Sequence, residues 1–488
     1  MEKLFRNRTT SFAVRWFTLS IALVYFSAPR WSFAGAEALG TTGAGSDGQA
    51  VLEELDTDFD TRYVDQLTLP RVAAPLASSV KLESSGAVGR NTQKNVNPSR
   101  GANVQANTGF FPTLVFRVNS RDNPARVAGG EDQNDESIFI GLDLKYRGLI
   151  NSRHMYELSA AASSEDFDEF TSLDSDISEF AAALRLDMTS KLKADLYTSY
   201  ADSEDSRGVT ATRLLDLDTL NDEYKEITHG ARVTIGRRTN PVQVVIGAER
   251  SDIDFTNNDQ DQRDREDEQF LAGLYLNLSP RTSIYLLGDH TDIDYESTVS
   301  GEFDSENTQL SLGVGWEPSY STSLLLQLGN IEKSFEQSGF EDQDTESYLG
   351  KFTWLPSDLS TLNLYASQTY EESVDLNAPV IESILSGISF GHRFSDSIRG
   401  QAYLNYIEDD LINVRQDEIT DFGIGLFYNI RRWLQIGATW ARTERESTDP
   451  EATYDSELLS LSLIITPRFN REFGDSEIHT GEDLRGLE

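Results

Sequence analysis

From about Phe110 to Phe469 apolar and polar residues alternate with a period of two, the spacing that puts successive side chains on opposite faces of a β-strand. Ile138, Ile140, Leu142, Leu144 and Tyr146 share one parity, while Gly141, Asp143 and Lys145 hold the other. Phe180, Ala182, Leu184, Leu186 and Met188 alternate in the same way with Ala183, Arg185 and Asp187. Leu310, Leu312, Val314 and Trp316 are set against Gln309, Ser311, Gly313 and Gly315. Pairs of such strands meet at tight turns rich in Pro, Ser, Asn and Asp, residues that bend the chain and bond to their own backbone. The clearest are Thr189–Lys191, Arg237–Pro241, Ser279–Thr282, Glu317–Tyr320, Leu355–Asp358 and Phe394–Ser397. Longer acidic segments separate the hairpins: Ser251–Glu268, Asp292–Glu306, Glu332–Glu346 and Glu408–Glu418.

One strand near 110–119, eight tight hairpins and a last strand near 457–469 make about eighteen strands. The pattern predicts an all-β fold: a single-chain transmembrane antiparallel β-barrel with short periplasmic turns and long acidic extracellular loops. A soluble β-sandwich also alternates, but its sheets must share one core, and the pattern here runs too far for that. Trp316, Trp354, Tyr428, Trp433 and Trp440 stand at the ends of the apolar parity, where interfacial girdles are expected. An even strand count places both ends of the barrel in the periplasm.

The flanks read differently. Lys3, Arg6, Arg8 and Arg15 precede a short apolar run from Phe17 to Phe26 and the small-residue sites Ser32–Ala34 and Ala34–Ala36, so residues 1–36 are expected to be a cleaved signal peptide. Residues 37–107 read as a mostly disordered periplasmic lead-in, 108–469 as the barrel and 470–488 as a polar periplasmic tail. The aromatic close of the last strand, Phe469, suits recognition by the barrel insertion machinery.

Composition narrows the chemistry. A net charge of -39 argues against nucleic acid, and the absence of cysteine excludes disulfides, zinc–thiolate sites and thiol nucleophiles. Gly387-Ile-Ser-Phe-Gly391 matches a nucleophile-elbow pattern, but it sits in a strand with no following helix, so the glycines are read as strand glycines. With no strand-end acid/base constellation, an enzyme is not expected, and no cofactor is implied. Asp259, Asp261, Asp264, Glu266 and Asp267 form a dense acidic stretch that could gather Ca²⁺ or Mg²⁺, although a solvated loop is the plainer reading. Such ions would also bridge lipopolysaccharide, the expected lipid neighbour at the cell surface. The polar parity offers pore-lining candidates: Arg117, Asp143, Lys145, Arg185, Asp187, Lys193, Asp195, Arg232, Lys351, Arg399 and Gln401. Their mixed charge suits a hydrated lumen without a single-sign filter.

Leu114-Val-Phe-Arg-Val-Asn-Ser-Arg-Asp-Asn-Pro-Ala-Arg126 resembles the opening strand and first loop of the Putative beta-barrel porin 2 family. Leu184-Arg-Leu-Asp-Met-Thr-Ser-Lys-Leu-Lys-Ala-Asp-Leu-Tyr-Thr-Ser-Tyr200, followed by Asp205-Ser-Arg-Gly208, resembles its early hairpin. The resemblance covers roughly 110–469. It implies a wide outer-membrane barrel tied to exopolysaccharide production, through which a polysaccharide chain leaves the cell with the help of a periplasmic export protein. It transfers no functional residue to this chain. A diffusion porin for small hydrophilic solutes needs the same strands and lumen. A structural or adhesion barrel that binds through its acidic loops is the third reading.

Overall fold

The computed structural model describes residues 109–467, apart from 129–132, 152–153, 205–220, 297–302, 337–339 and 374–377 and the single positions 238, 280, 320, 358, 379 and 432. The expected signal peptide, lead-in and polar tail therefore lie outside the described residues, as does Phe469.

Eighteen strands follow one another: β1 Gly109–Asp122, β2 Asn134–Ile150, β3 His154–Phe167, β4 Ser175–Thr189, β5 Leu192–Glu204, β6 Glu223–Ile235, β7 Val242–Phe255, β8 Arg265–Ser279, β9 Thr282–Tyr295, β10 Ser305–Ser319, β11 Thr322–Phe335, β12 Gln343–Ser357, β13 Ser360–Glu371, β14 Ile381–Arg393, β15 Ile398–Leu411, β16 Arg415–Arg431, β17 Leu434–Ser447 and β18 Tyr454–Ile465. Each pairs antiparallel with its neighbours in sequence, and β1 pairs with β18 from Leu114↔Ile465 to Arg121↔Leu458, so the sheet closes and keeps no edge. Closure is what lets strands cross a bilayer, because every backbone group finds a partner within the wall. The seam is fastened from inside by Val115, Phe139 and Ile464, packed together on β1, β2 and β18.

The six tight turns named from the sequence all join strands at one end of the barrel, and β2–β3 and β16–β17 complete the eight hairpins expected. The β16–β17 hairpin takes a bulge between Asn429 and Arg431. The last strand begins earlier than expected, at Tyr454, and its ladder stops at Ile465, ahead of Pro467, which has no N–H to donate.

The acidic segments depart more from the expectation. About half of their residues are strand, not loop. The Ser251–Glu268 segment contains the end of β7 and the start of β8, and the Glu408–Glu418 segment leaves only 412–414 between β15 and β16. The apolar stripe stops there but the ladder does not, so the strands run on beyond the membrane edge with carboxylates on their outer face.

Alternation fixes which face looks out. Leu328 on β11 is 68% exposed and its neighbour Gln327 only 5%. Outward side chains of β8 run apolar from Phe270 to Leu278, then acidic at Glu268 and Glu266. Eight strand steps at the usual rise and tilt make an apolar belt roughly 20–25 Å tall, the height of an outer-membrane hydrocarbon layer. Trp316, Trp354, Tyr428 and Trp433 are exposed at its turn end. Trp440, packed edge-to-face on Phe422 at 5.3 Å, marks the other edge below Arg442. Among the described residues no helix is long and apolar enough to cross a membrane; the crossing is made by strands.

Candidate functional site on the inner wall

Eighteen strands at ~4.8 Å spacing and ~40° tilt enclose a backbone cylinder about 35 Å across. Every pore-lining candidate lies on the inward parity of its strand. Few of them meet. Arg185 Nε donates to Asp195 Oδ1 at 2.7 Å between β4 and β5, and Asp187 stands directly opposite Lys193 in the same ladder. Lys145 Nζ is 4.0 Å from Glu157. Arg117 lies over the Phe139 ring at 4.6 Å and Arg399 over the Phe427 ring at 5.0 Å, each a cation on an aromatic face. Arg232 is buried on β6, and Lys351 stands opposite Tyr365. Gln401 stands opposite Gly425, and Asp143 opposite Thr113. The candidates are spread around the wall and form no single constellation.

The five acidic residues of the Asp259–Asp267 stretch do not converge either. Glu266 and Asp267 point to opposite sides of β8, where Glu266 pairs outward with Arg250 and Asp267 inward with Arg265. Asp264 accepts the Phe255 N–H at 2.7 Å. Asp261 sits in a short 3-10 turn, and Asp259 adopts φ 52°. Among the described residues the metal-ligating types that do gather are His290, Asp292 and Glu306, outward on β9 and β10.

Sequence reading missed the strongest inward ion pairs because they lie in the segments taken for loops. Arg445 Nη2 donates to Asp417 at 2.5 Å with both side chains fully buried, and Arg415 Nε reaches the same carboxylate at 3.0 Å. Lys333 Nζ donates to Glu372 at 2.6 Å, and the Tyr295 hydroxyl donates to that carboxylate at 2.8 Å. Glu372 follows β13, whereas Tyr295 ends β9, four strands away along the wall. The chain after β13 therefore leans inward across the mouth at the loop end. The signal was present: inward parity continues unbroken through Lys333, Arg415 and Asp417.

A second pattern was also missed. On the inner face an aromatic ring repeatedly lies on a glycine of the following strand. Tyr197↔Gly230, Tyr285↔Gly313, Tyr365↔Gly387, Tyr403↔Gly423 and Phe427↔Gly437 are all direct cross-strand partners. A Cβ on any of these glycines would collide with the ring, at 2.6 Å for Gly423. Three of the rings go further and reach a polar side chain two strands on: Tyr197 to Glu249, Tyr285 to Gln327 at 3.2 Å and Tyr365 to Asn405. These begin on β5, β9 and β13, a repeat of four strands. Tyr403 donates to Asp421 at 3.4 Å, which also accepts from Thr443 at 3.3 Å. The wall is less polar than the sequence suggested, since Val245, Leu271, Tyr275, Tyr285, Leu287 and Leu325 form a buried cluster on it.

A family model described as Putative beta-barrel porin 2 matches residues 109–466, the whole closed sheet. The chain belongs to that family. It is an outer-membrane barrel of porin type, and its family is one of channels, not enzymes. No curated protein matches. Among solved structures, Pseudomonas aeruginosa OccK8 (OprE) is 12% identical with a TM-score of 0.41, the match covering 73% of this chain and 98% of that one. Pseudomonas aeruginosa OpdQ is 12% identical at 0.42, covering 74% and 99%. A BenF-like porin from Pseudomonas fluorescens Pf-5 is 11% identical at 0.41, covering 74% and 99%.

Proposed function

We propose that the porin-like barrel is a passive conduit through which a hydrophilic polysaccharide crosses the outer membrane, delivered by a periplasmic export protein. One observation carries this reading: several of the inward cations are held on the wall, by carboxylates or, for Arg117 and Arg399, by aromatic rings. With Arg185 on Asp195, Lys333 on Glu372, Arg265 on Asp267, and Arg415 and Arg445 on Asp417, hydroxyls, amides, aromatic faces and carboxylates such as Glu249 and Asp421 are among the groups offered to a cargo. Weak, repeated hydrogen bonds suit a moving polymer, because tight binding would halt it. The driving force comes from synthesis upstream. The pore-lining candidates then act as parts of a balanced wall and not as a filter.

A second reading, a diffusion porin for small solutes, is favoured by the inward lean of the chain at Glu372, which narrows the mouth. An in-frame deletion strain separates the two. Assayed together, surface polysaccharide falls and small-solute uptake stays normal under the export reading. Intact polysaccharide with slowed uptake would leave only the diffusion porin.

A further inference from the structure

We infer that Tyr197, Tyr365 and Tyr403 are stacking platforms for sugar rings, a statement that rests on the carbohydrate-conduit reading above. The geometry begins with glycine. Because Gly230, Gly387 and Gly423 have no side chain, the facing tyrosine can fall onto the next strand instead of standing up into the lumen. A ring laid on the sheet has one face against the wall and the other toward the interior. Its hydroxyl is tied down, to Glu249 for Tyr197, to Asn405 for Tyr365 and to Asp421 for Tyr403. Both ends of each side chain are thus fixed before any ligand arrives, so little rotamer freedom remains to be lost on contact.

Such a platform matches the chemistry of a pyranose. The negative π face attracts the weakly positive C–H groups on the flat side of the sugar, while hydroxyls around its rim seek hydrogen bonds. Those bonds are offered at the edge of each ring by the carboxylate or amide that holds the phenol. Tyr365, Gly387 and Asn405 fall in one row across β13, β14 and β15, and Tyr403 sits two residues from Asn405 along β15. The two platforms are therefore about 12 Å apart at ordinary strand spacing, on one stretch of wall. Tyr197 lies eight strands from Tyr365, nearly opposite. All three are partly exposed. Tyr285 repeats the same geometry but is only 1% exposed, so it can staple the wall and cannot meet a cargo.

That contrast supplies the control. The full chain, purified in detergent, is titrated with cellohexaose and followed by saturation-transfer NMR, with sorbitol as a polyol that lacks a ring face. Saturation should reach the C–H protons of cellohexaose and not sorbitol. Tyr365→Leu and Tyr403→Leu should each weaken cellohexaose binding about fivefold, the size of one aromatic contact. Tyr→Phe should stay within about twofold, and Tyr285→Leu should leave binding unchanged. If the leucine variants do not fold, Tyr→Met, similar in length but without a ring, gives the same readout. Undiminished binding in a folded Tyr365→Leu/Tyr403→Leu double variant overturns the proposal. So does an equal loss in the phenylalanine variants, which would assign the effect to the hydroxyl tether, and so does absence of cellohexaose binding. Unchanged surface polysaccharide in the deletion strain would instead overturn the export reading while leaving measured cellohexaose stacking in place.

Discussion

Gly387 shows how much one missing atom governs on this wall. Its direct cross-strand partner is Tyr365, and an added Cβ would fall inside that ring. Gly387→Ala therefore forces the tyrosine off the sheet and away from Asn405. Overpacking of this kind costs about 1–3 kcal/mol. The loss should be specific to the ring: combined with Tyr365→Leu, the alanine should cost far less than alone, a coupling that a double-mutant cycle on the urea midpoint in lipid vesicles would read. Additive effects would show that the ring and the glycine do not meet. The pairing was hidden in the sequence for a physical reason. Glycines of the polar parity are visible there, but which tyrosine each one faces depends on register, and register is set by turn length and bulges that periodicity does not report.

At the scale of elements, the strands and their eight tight hairpins were legible because outward residues in hydrocarbon must be apolar and turns need particular residues. Strand ends were not, because above the membrane edge the outward parity becomes acidic while the ladder continues. What closes several strands there is a repeated device. An aspartate just before one strand accepts the N–H of the aromatic residue that ends the strand before it: Asp174 with Phe167, Asp264 with Phe255, Asp304 with Tyr295 and Asp342 with Phe335. Burial raises the Asp264 carboxyl to about 6, with the Phe255 N–H opposing and Asp254, Asp261 and Glu296 adding to the rise. Burial likewise raises Asp304. A raised carboxyl means that the folded loop prefers the proton. Its contribution to loop stability is present below the unfolded value near 4 and is lost as pH rises through about 6. Hydrogen exchange over 256–264, corrected for intrinsic rates, should therefore show more protection at about pH 4.5 than at about pH 7, on either side of the folded value of about 6. Asp264→Asn keeps the accepting oxygen and removes the charge, so it should flatten the dependence. A profile equally steep in the asparagine variant would assign it to another group.

Across the whole molecule the net charge of -39 is unevenly placed. On the inner wall several arginines and lysines are paired with carboxylates, with Asp417 shared between Arg415 and Arg445 as the most buried example. On the outer face the register sets like charges directly opposite one another: Asp252 with Glu266, Glu268 with Asp292, Asp292 with Glu306, Glu332 with Asp344 and Glu408 with Glu418. Arg250, bound to Glu266 and Glu268, and Arg442, bound to Asp455 and Glu457, relieve this only locally. A passing ion thus meets an acidic collar around the mouth, felt through solvent, in addition to the partly paired charges of the wall. Collar charges are screened within about 10 Å at 0.1 M salt and about 3 Å at 1 M. Reversal potentials across a planar bilayer should accordingly show a cation preference in dilute KCl that fades toward none at 1 M. A preference that persists undiminished at high salt would place the selecting charge on the wall itself. It would contradict the paired lumen on which the carbohydrate reading stands.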